Sequence, residues 1–131
     1  MNKSQKSDNK NLAGERLMIY QVLPRLLTNM TGNCEPNGAL ERNGSGKLND
    51  YTSSLLASIR DLGINCIWYT GIIENATKSD FSAHGIVPDN PNVVKGAAGS
   101  PYAIKDYYDV NPCLAVDIDR RMEEFEALVR R

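Results

Sequence analysis

Residues 99–112, with the sequence GSPYAIKDYYDVNP, hold the side chains best suited to chemistry in this chain. Tyr102, Tyr107 and Tyr108 crowd together with Lys105, Asp106 and Asp109 between Pro101 and Pro112. Proline fixes its own φ and biases the preceding residue toward extended backbone, so Ser100 and Asn111 are poor helix residues. The segment therefore reads as a short, stiff, aromatic loop. A tyrosine ring offers an apolar face and a polar hydroxyl. That pairing suits a ligand with C–H faces and hydroxyl edges, which describes a sugar. Tyrosines in loops also serve as packing residues, so composition alone leaves both roles open.

Other candidates carry less. His84 is the only histidine; Asp80 stands four residues before it and no nucleophile is near. A lone loop histidine of this kind reads as hydrogen-bonded or solvated rather than catalytic. Residues 43–48, NGSGKL, invite a phosphate-loop reading, but the template needs glycine where Glu41 stands and Ser or Thr where Leu48 stands. A flexible surface loop fits better. Cys34, Cys66 and Cys113 form no CxxC and no Cys/His cluster, so no zinc signature is present and no metal ligand is assigned. They read as free thiols in a reducing compartment, with Cys66, in an apolar run, buried and inert.

Elements must hold these residues in place. Residues 17–23, LMIYQVL, are apolar, partly β-branched and stopped by Pro24, which predicts a strand. Residues 28–49 are rich in Gly, Asn and Ser and read as loop. In 51–62, Leu55, Leu56, Ile59 and Leu62 share one helical face, Asp50 or Thr52 can cap the start, and Gly63 can end the helix in a left-handed conformation. Residues 64–70, INCIWYT, predict a second strand, apolar on both faces, as expected in a parallel sheet covered on both sides. Strand, helix and strand make a βαβ unit. Residues 72–100 read as a long irregular insertion. In 115–131, Met122, Phe125, Leu128 and Val129 predict an amphipathic helix, capped by Asp117 or Asp119.

Composition narrows the partners. The 131 residues are 41% hydrophobic and 24% charged, with a net charge of -1, values of an ordinary globular domain. No basic excess points to nucleic acid. No apolar run approaches a membrane span, and the polar start, residues 1–16, lacks the centre of a secretory signal. Those residues predict a disordered lead. A cytoplasmic location follows, unless a signal lies outside this sequence.

In order, these pieces resemble the alpha-amylase family of glycoside hydrolases, family 13. IYQVLPR at 19–25 is similar to that family's first barrel strand, and LGINCIWY at 62–69 to the end of its first helix and its second strand. Pro101-Tyr102 followed by Asp106-Tyr107-Tyr108 resembles its loop after the second strand, and MEEFEALV at 122–129 the helix before its third. The resemblance implies an α/β fold, with residues 17–131 forming the N-terminal portion of a (β/α)8 TIM barrel: about two βα units plus a long loop, ending before the third strand. It implies an alpha-amylase-type glycosidase that hydrolyses alpha-glucosidic bonds of starch-like glucans or malto-oligosaccharides by retaining double displacement. Tyr102 would stack beneath the sugar ring and Asp106 would support that sugar or its loop, while Tyr108 packs. The family's catalytic carboxylates follow later strands, so no catalytic residue is assigned in this chain. No cofactor is expected here, although the complete family enzyme often binds calcium. The piece would need the rest of its barrel, and alone it would be poorly stable and inactive. The other reading is a non-catalytic carbohydrate-binding or interaction module that keeps the aromatic platform. A nucleotide-binding βαβ protein ranks last, because no glycine-rich turn follows the first strand.

Overall fold

The computed structural model describes residues 16–131. The expected polar lead at 1–16 lies outside the described residues apart from Arg16. Strand β1 covers Ile19–Val22 and β2 covers Cys66–Tyr69; they pair in parallel, Ile19 against Cys66 and Val22 against Tyr69. Pro24 cannot extend β1 and instead opens a short helix, α1 (Pro24–Leu27), from a position where its missing N–H costs nothing. A second short helix, α2 (Leu40–Asn43), interrupts the long loop at 28–49.

Helix α3 (Ser53–Asp61) joins the two parallel strands. The Thr52 hydroxyl caps it by accepting from the Leu55 amide at 3.2 Å, and Gly63 follows at φ +86°. The strand–helix–strand order and the stop are as the sequence predicts; of the two expected caps Thr52 is the one used, and Leu62, expected on the helix's apolar face, follows the helix and is exposed.

Strand alternation sorts the side chains of this parallel pair. Tyr20, Val22, Ile67 and Tyr69 pack with Leu48, Tyr51, Leu55, Leu114 and Leu128 into the main core. Ile19, Gln21 and Trp68 lie exposed on the other face. The expectation of a sheet covered on both faces is therefore corrected for the described residues: only the helix-side face is covered. The same alternation corrects the reading of Cys66, which is half-buried; Cys113 is the buried thiol.

Two further expectations change. The stretch at 99–112 is not all loop, because Ile104–Val110 form β4, which pairs antiparallel with β3 (Ile73–Asn75). Partners jump from Val110 opposite Ile73 to Asp106 opposite Glu74, so Tyr107, Tyr108 and Asp109 bulge from the ladder. The last helix, α4 (Arg121–Arg130), starts later than the predicted 115. Turns of 3₁₀ helix occupy Pro112–Leu114 and Ile118–Arg120, and Asp117 caps the second of these. Glu124 of α4 reaches back to accept from the Val116 and Asp117 amides at 2.8–3.1 Å.

Tyr51 is fully buried, with its ring edge-on to Tyr69 at 5.2 Å between centroids and 82° between planes. Its hydroxyl finds no protein partner among the described residues, and burial pushes its pKa up. The ring thus carries the stabilisation and the hydroxyl adds none. Tyr51→Phe should leave stability within about 1 kcal/mol of wild type or raise it, whereas Tyr51→Ala should cost about 3–5 kcal/mol. Urea unfolding of the two variants checks this; a large loss in Tyr51→Phe would show that the hydroxyl is bonded.

Candidate functional site

Parallel pairing puts the C-terminal ends of β1 and β2 side by side. The residues just beyond them, Leu23 and Thr70-Gly71, border two adjoining hollows. The outer is an apolar groove of about 210 Å³ between Trp68, Thr70, Ile73, Pro101 and Tyr102. The inner is a cavity of about 170 Å³ walled by Leu23, Leu26, Gly99 and Pro101, with Cys113 and Arg25 also on its lining. Thr70, Gly71 and Pro101 belong to both. The Gln21 amide donates to the Thr70 hydroxyl at 2.8 Å, fixing the rim where β1 meets β2.

Tyr102 precedes β4 on a turn at 100–103 that the Ala103 amide closes by donating to the Ser100 carbonyl at 3.0 Å. Tyr102 is 75% exposed, so it does not serve as core. Trp68, 56% exposed, shares the groove. The strand expected at 64–70 gives Trp68 no role of its own; alternation against the core-facing Tyr69 is the signal that points it outward. Tyr107 and Tyr108 are exposed on the bulge, Tyr108 at 93%, which corrects the reading of Tyr108 as a packing residue.

Asp106 is not in the Tyr102 groove. It borders a separate polar depression with Glu74, Lys105, Asp109 and Arg121. Its carboxylate accepts from the Tyr108 amide at 2.8 Å, so its work here is to hold the bulge of its own segment. In the same region Lys105 lies 3.4 Å from Glu74 and 3.6 Å from Asp89, and also donates to the Val87 carbonyl. Glu74 is buried, and the Asp89 carboxylate accepts from the Thr77 amide at 3.0 Å. Lys105 thereby ties the 86–89 loop to the β3–β4 hairpin. Arg121 of α4 clamps Asp109 with two hydrogen bonds at 2.5 and 2.8 Å. These long-range pairs had no signature in sequence spacing.

A buried amide pair joins the hairpin to the loops around the hollows. Asn111 donates to the Asn75 side-chain carbonyl at 2.6 Å and accepts from the Cys113 amide at 3.0 Å. Asn75 in turn donates to the Ala76 carbonyl at 3.0 Å. Gly99 packs so tightly here that an added Cβ would lie 1.7 Å from the Ala76 carbonyl oxygen, and its φ is +70°. No other residue fits that position.

His84 pairs with Asp119 at 3.0 Å rather than with Asp80, and it borders neither hollow. Burial holds the Cys113 thiol above its ordinary pKa, outweighing the pull of Arg25 and Lys47, so it is not a poised nucleophile. Among the described residues no three metal-ligating side chains cluster, and no helix is long and apolar enough to cross a membrane. Comparison of the chain with protein-family models, curated proteins and solved structures found no match.

Two outcomes follow from the charge pairs. Lys105→Met strands the buried Glu74 carboxylate and should cost about 3 kcal/mol or more; Glu74→Gln in the same chain should restore part of it, read by thermal melts. The Arg121 hydrogen bonds hold Asp109 below the usual carboxylate pKa. A depressed folded pKa stabilises above the unfolded value of about 3.9 and is lost as pH falls through the folded one. Melting temperature should therefore drop below about pH 4 in wild type, and Asp109→Asn should flatten that drop. An identical acid limb in both proteins would show that this pair contributes nothing.

Proposed function

We propose that this chain is part of the catalytic domain of an alpha-amylase-type glycosidase, a (β/α)8 barrel that cuts alpha-glucosidic bonds of starch-like glucans or malto-oligosaccharides by retaining double displacement. Its contribution is a section of the sugar-binding wall. The observation that carries this reading is the exposed ring of Tyr102, which borders an apolar groove beyond the C-terminal ends of two parallel strands, the end where such barrels bind substrate. A glucose ring presents an apolar C–H face, and stacking on Tyr102 with Trp68 beside it would hold that face without a rotatable polar contact. Asp106 acts through its loop, consistent with its bond to the Tyr108 amide.

Retaining hydrolysis needs a nucleophile and an acid about 5 Å apart. The buried and half-buried carboxylates near the hairpin are already engaged, Asp109 with Arg121 and Glu74 and Asp89 with Lys105. The reading therefore draws its carboxylate pair from other parts of a complete barrel. That same engagement favours the second reading, a carbohydrate-binding module without catalysis.

Trp68 is the only tryptophan and lines the groove with Tyr102, so its fluorescence reports on occupancy. Titration with maltoheptaose should give a saturable change. Tyr102→Ala should weaken binding about tenfold, the upper range for a lost aromatic contact, and Tyr108→Ala should leave it unchanged. No saturable signal, or equal loss in both variants, sinks the sugar-wall reading. Turnover of maltoheptaose by this chain alone would place the carboxylate pair within it.

A further inference from the structure

The inner cavity has a second neighbour on its far side. A depression of about 370 Å³ lies between α1 and the turn at 95–99, and it shares Arg25, Ala98 and Gly99 with that cavity. Arg25 and Lys95 both line it. Arg25 is half-buried at the second position of α1, and Lys95 is exposed on the turn.

Neither cation is neutralised by a described residue. Among the described residues no carboxylate comes within 4.0 Å of Arg25 or Lys95, whereas Arg42, Lys105, Arg120, Arg121 and Arg130 each have at least one. Glu35, beside the depression, is engaged by Arg42 at 3.2 Å. Glu41 of α2, whose field reaches Cys113 in the adjoining cavity, makes no ion pair among the described residues. A half-buried guanidinium without an acceptor forfeits the hydrogen bonds that its five donors can make.

The backbone offers more donors at the same place. The amides of Gly96, Ala98 and Gly99 have no protein acceptor among the described residues, and all three residues line the depression. The turn that carries them is braced. The Asn37 side chain accepts from the Ala97 amide at 2.7 Å, the Ala97 carbonyl accepts from the Lys78 amide and the Thr77 hydroxyl at 2.9 Å, and Gly99 is wedged against Ala76. Two cations and several unspent amides around one hollow match an oxyanion, which accepts both a bidentate guanidinium and single N–H donors.

We propose that Arg25, Lys95 and the 95–99 turn bind a phosphate group, free or carried on a sugar. Arg25 supplies the oriented fork, Lys95 the diffuse charge and the turn the remaining donors. The site stands whether or not the Tyr102 groove takes a glucan.

The test is an amide NMR titration of the full chain with inorganic phosphate at low, constant ionic strength. Saturable shifts centred on Gly96 and Ala98, with a dissociation constant in the millimolar range or below, are expected. Arg25→Gln should weaken binding about tenfold or more, as expected for a lost charge-assisted bond. Lys95→Gln should weaken it severalfold, and Arg130→Gln, on α4 away from the depression, less than about twofold. Should Arg25→Gln fail to fold, Lys95→Gln and the loss of binding with added salt carry the test. No saturation by about 50 mM phosphate, or equal effects of Lys95→Gln and Arg130→Gln, overturns the proposal. Glucose 6-phosphate binding more tightly than inorganic phosphate, with glucose inert at these amides, assigns the phosphate to a sugar; equal affinities assign it to the free ion.

Discussion

The seam between the inner face of the parallel strands and the side chains beneath it governs the rest of the architecture. Val22 and Tyr69 cap the two strands, and Leu48, Tyr51, Leu114 and Leu128 close on them from the loop, the 3₁₀ turn and the last helix. These contributors are far apart in sequence. Burying them together holds β1 and β2 in register and so sets their C-terminal ends side by side. The two hollows exist because those ends are aligned and the chain beyond each must turn away.

Polar groups then position what the hydrophobic seam cannot. The non-directional drive to bury carbon leaves loop geometry undetermined, and the 71–111 region is mostly loop and irregular hairpin. Buried amides are costly unless paired, so Asn75 and Asn111 bond to each other, to adjacent backbone and, through Asn75, to the Ala98 carbonyl, and thereby fix three segments at once. Lys105 does the same between two carboxylates and a carbonyl, and Arg121 anchors the bulge to α4. The Tyr102 turn is carried on this frame, which is why its ring can stand exposed on an ordered rim rather than on a free loop.

The apolar face left open by β1 and β2 belongs to the same logic. Ile19 and Trp68 emerge on it because strand side chains alternate, and the described chain supplies layers on one side only. An α/β barrel would cover that face with its own interior, in keeping with the glycosidase reading, whereas a binding module would present it to a partner.

The residues alone were enough for the strand–helix–strand unit and the Gly63 stop; they narrowed the cap to Asp50 or Thr52, and of the face expected on the last helix only Phe125 and Leu128 reach the core, Met122 and Val129 being exposed. Each such signal is local: a period, a capping hydroxyl or a glycine acts within a few positions. The aromatic segment was legible as a place of interest but not as β4, because its pairing with β3 depends on residues some thirty positions away and its bulge breaks the alternation that marks a strand. The separation of Asp106 from Tyr102, the outward turn of Trp68, the burial of Cys113 in place of Cys66 and the lack of a carboxylate beside Arg25 among the described residues were decided only in three dimensions. Which face a side chain takes, and which charge it meets, are set by contacts between distant segments, and no spacing along the chain encodes them.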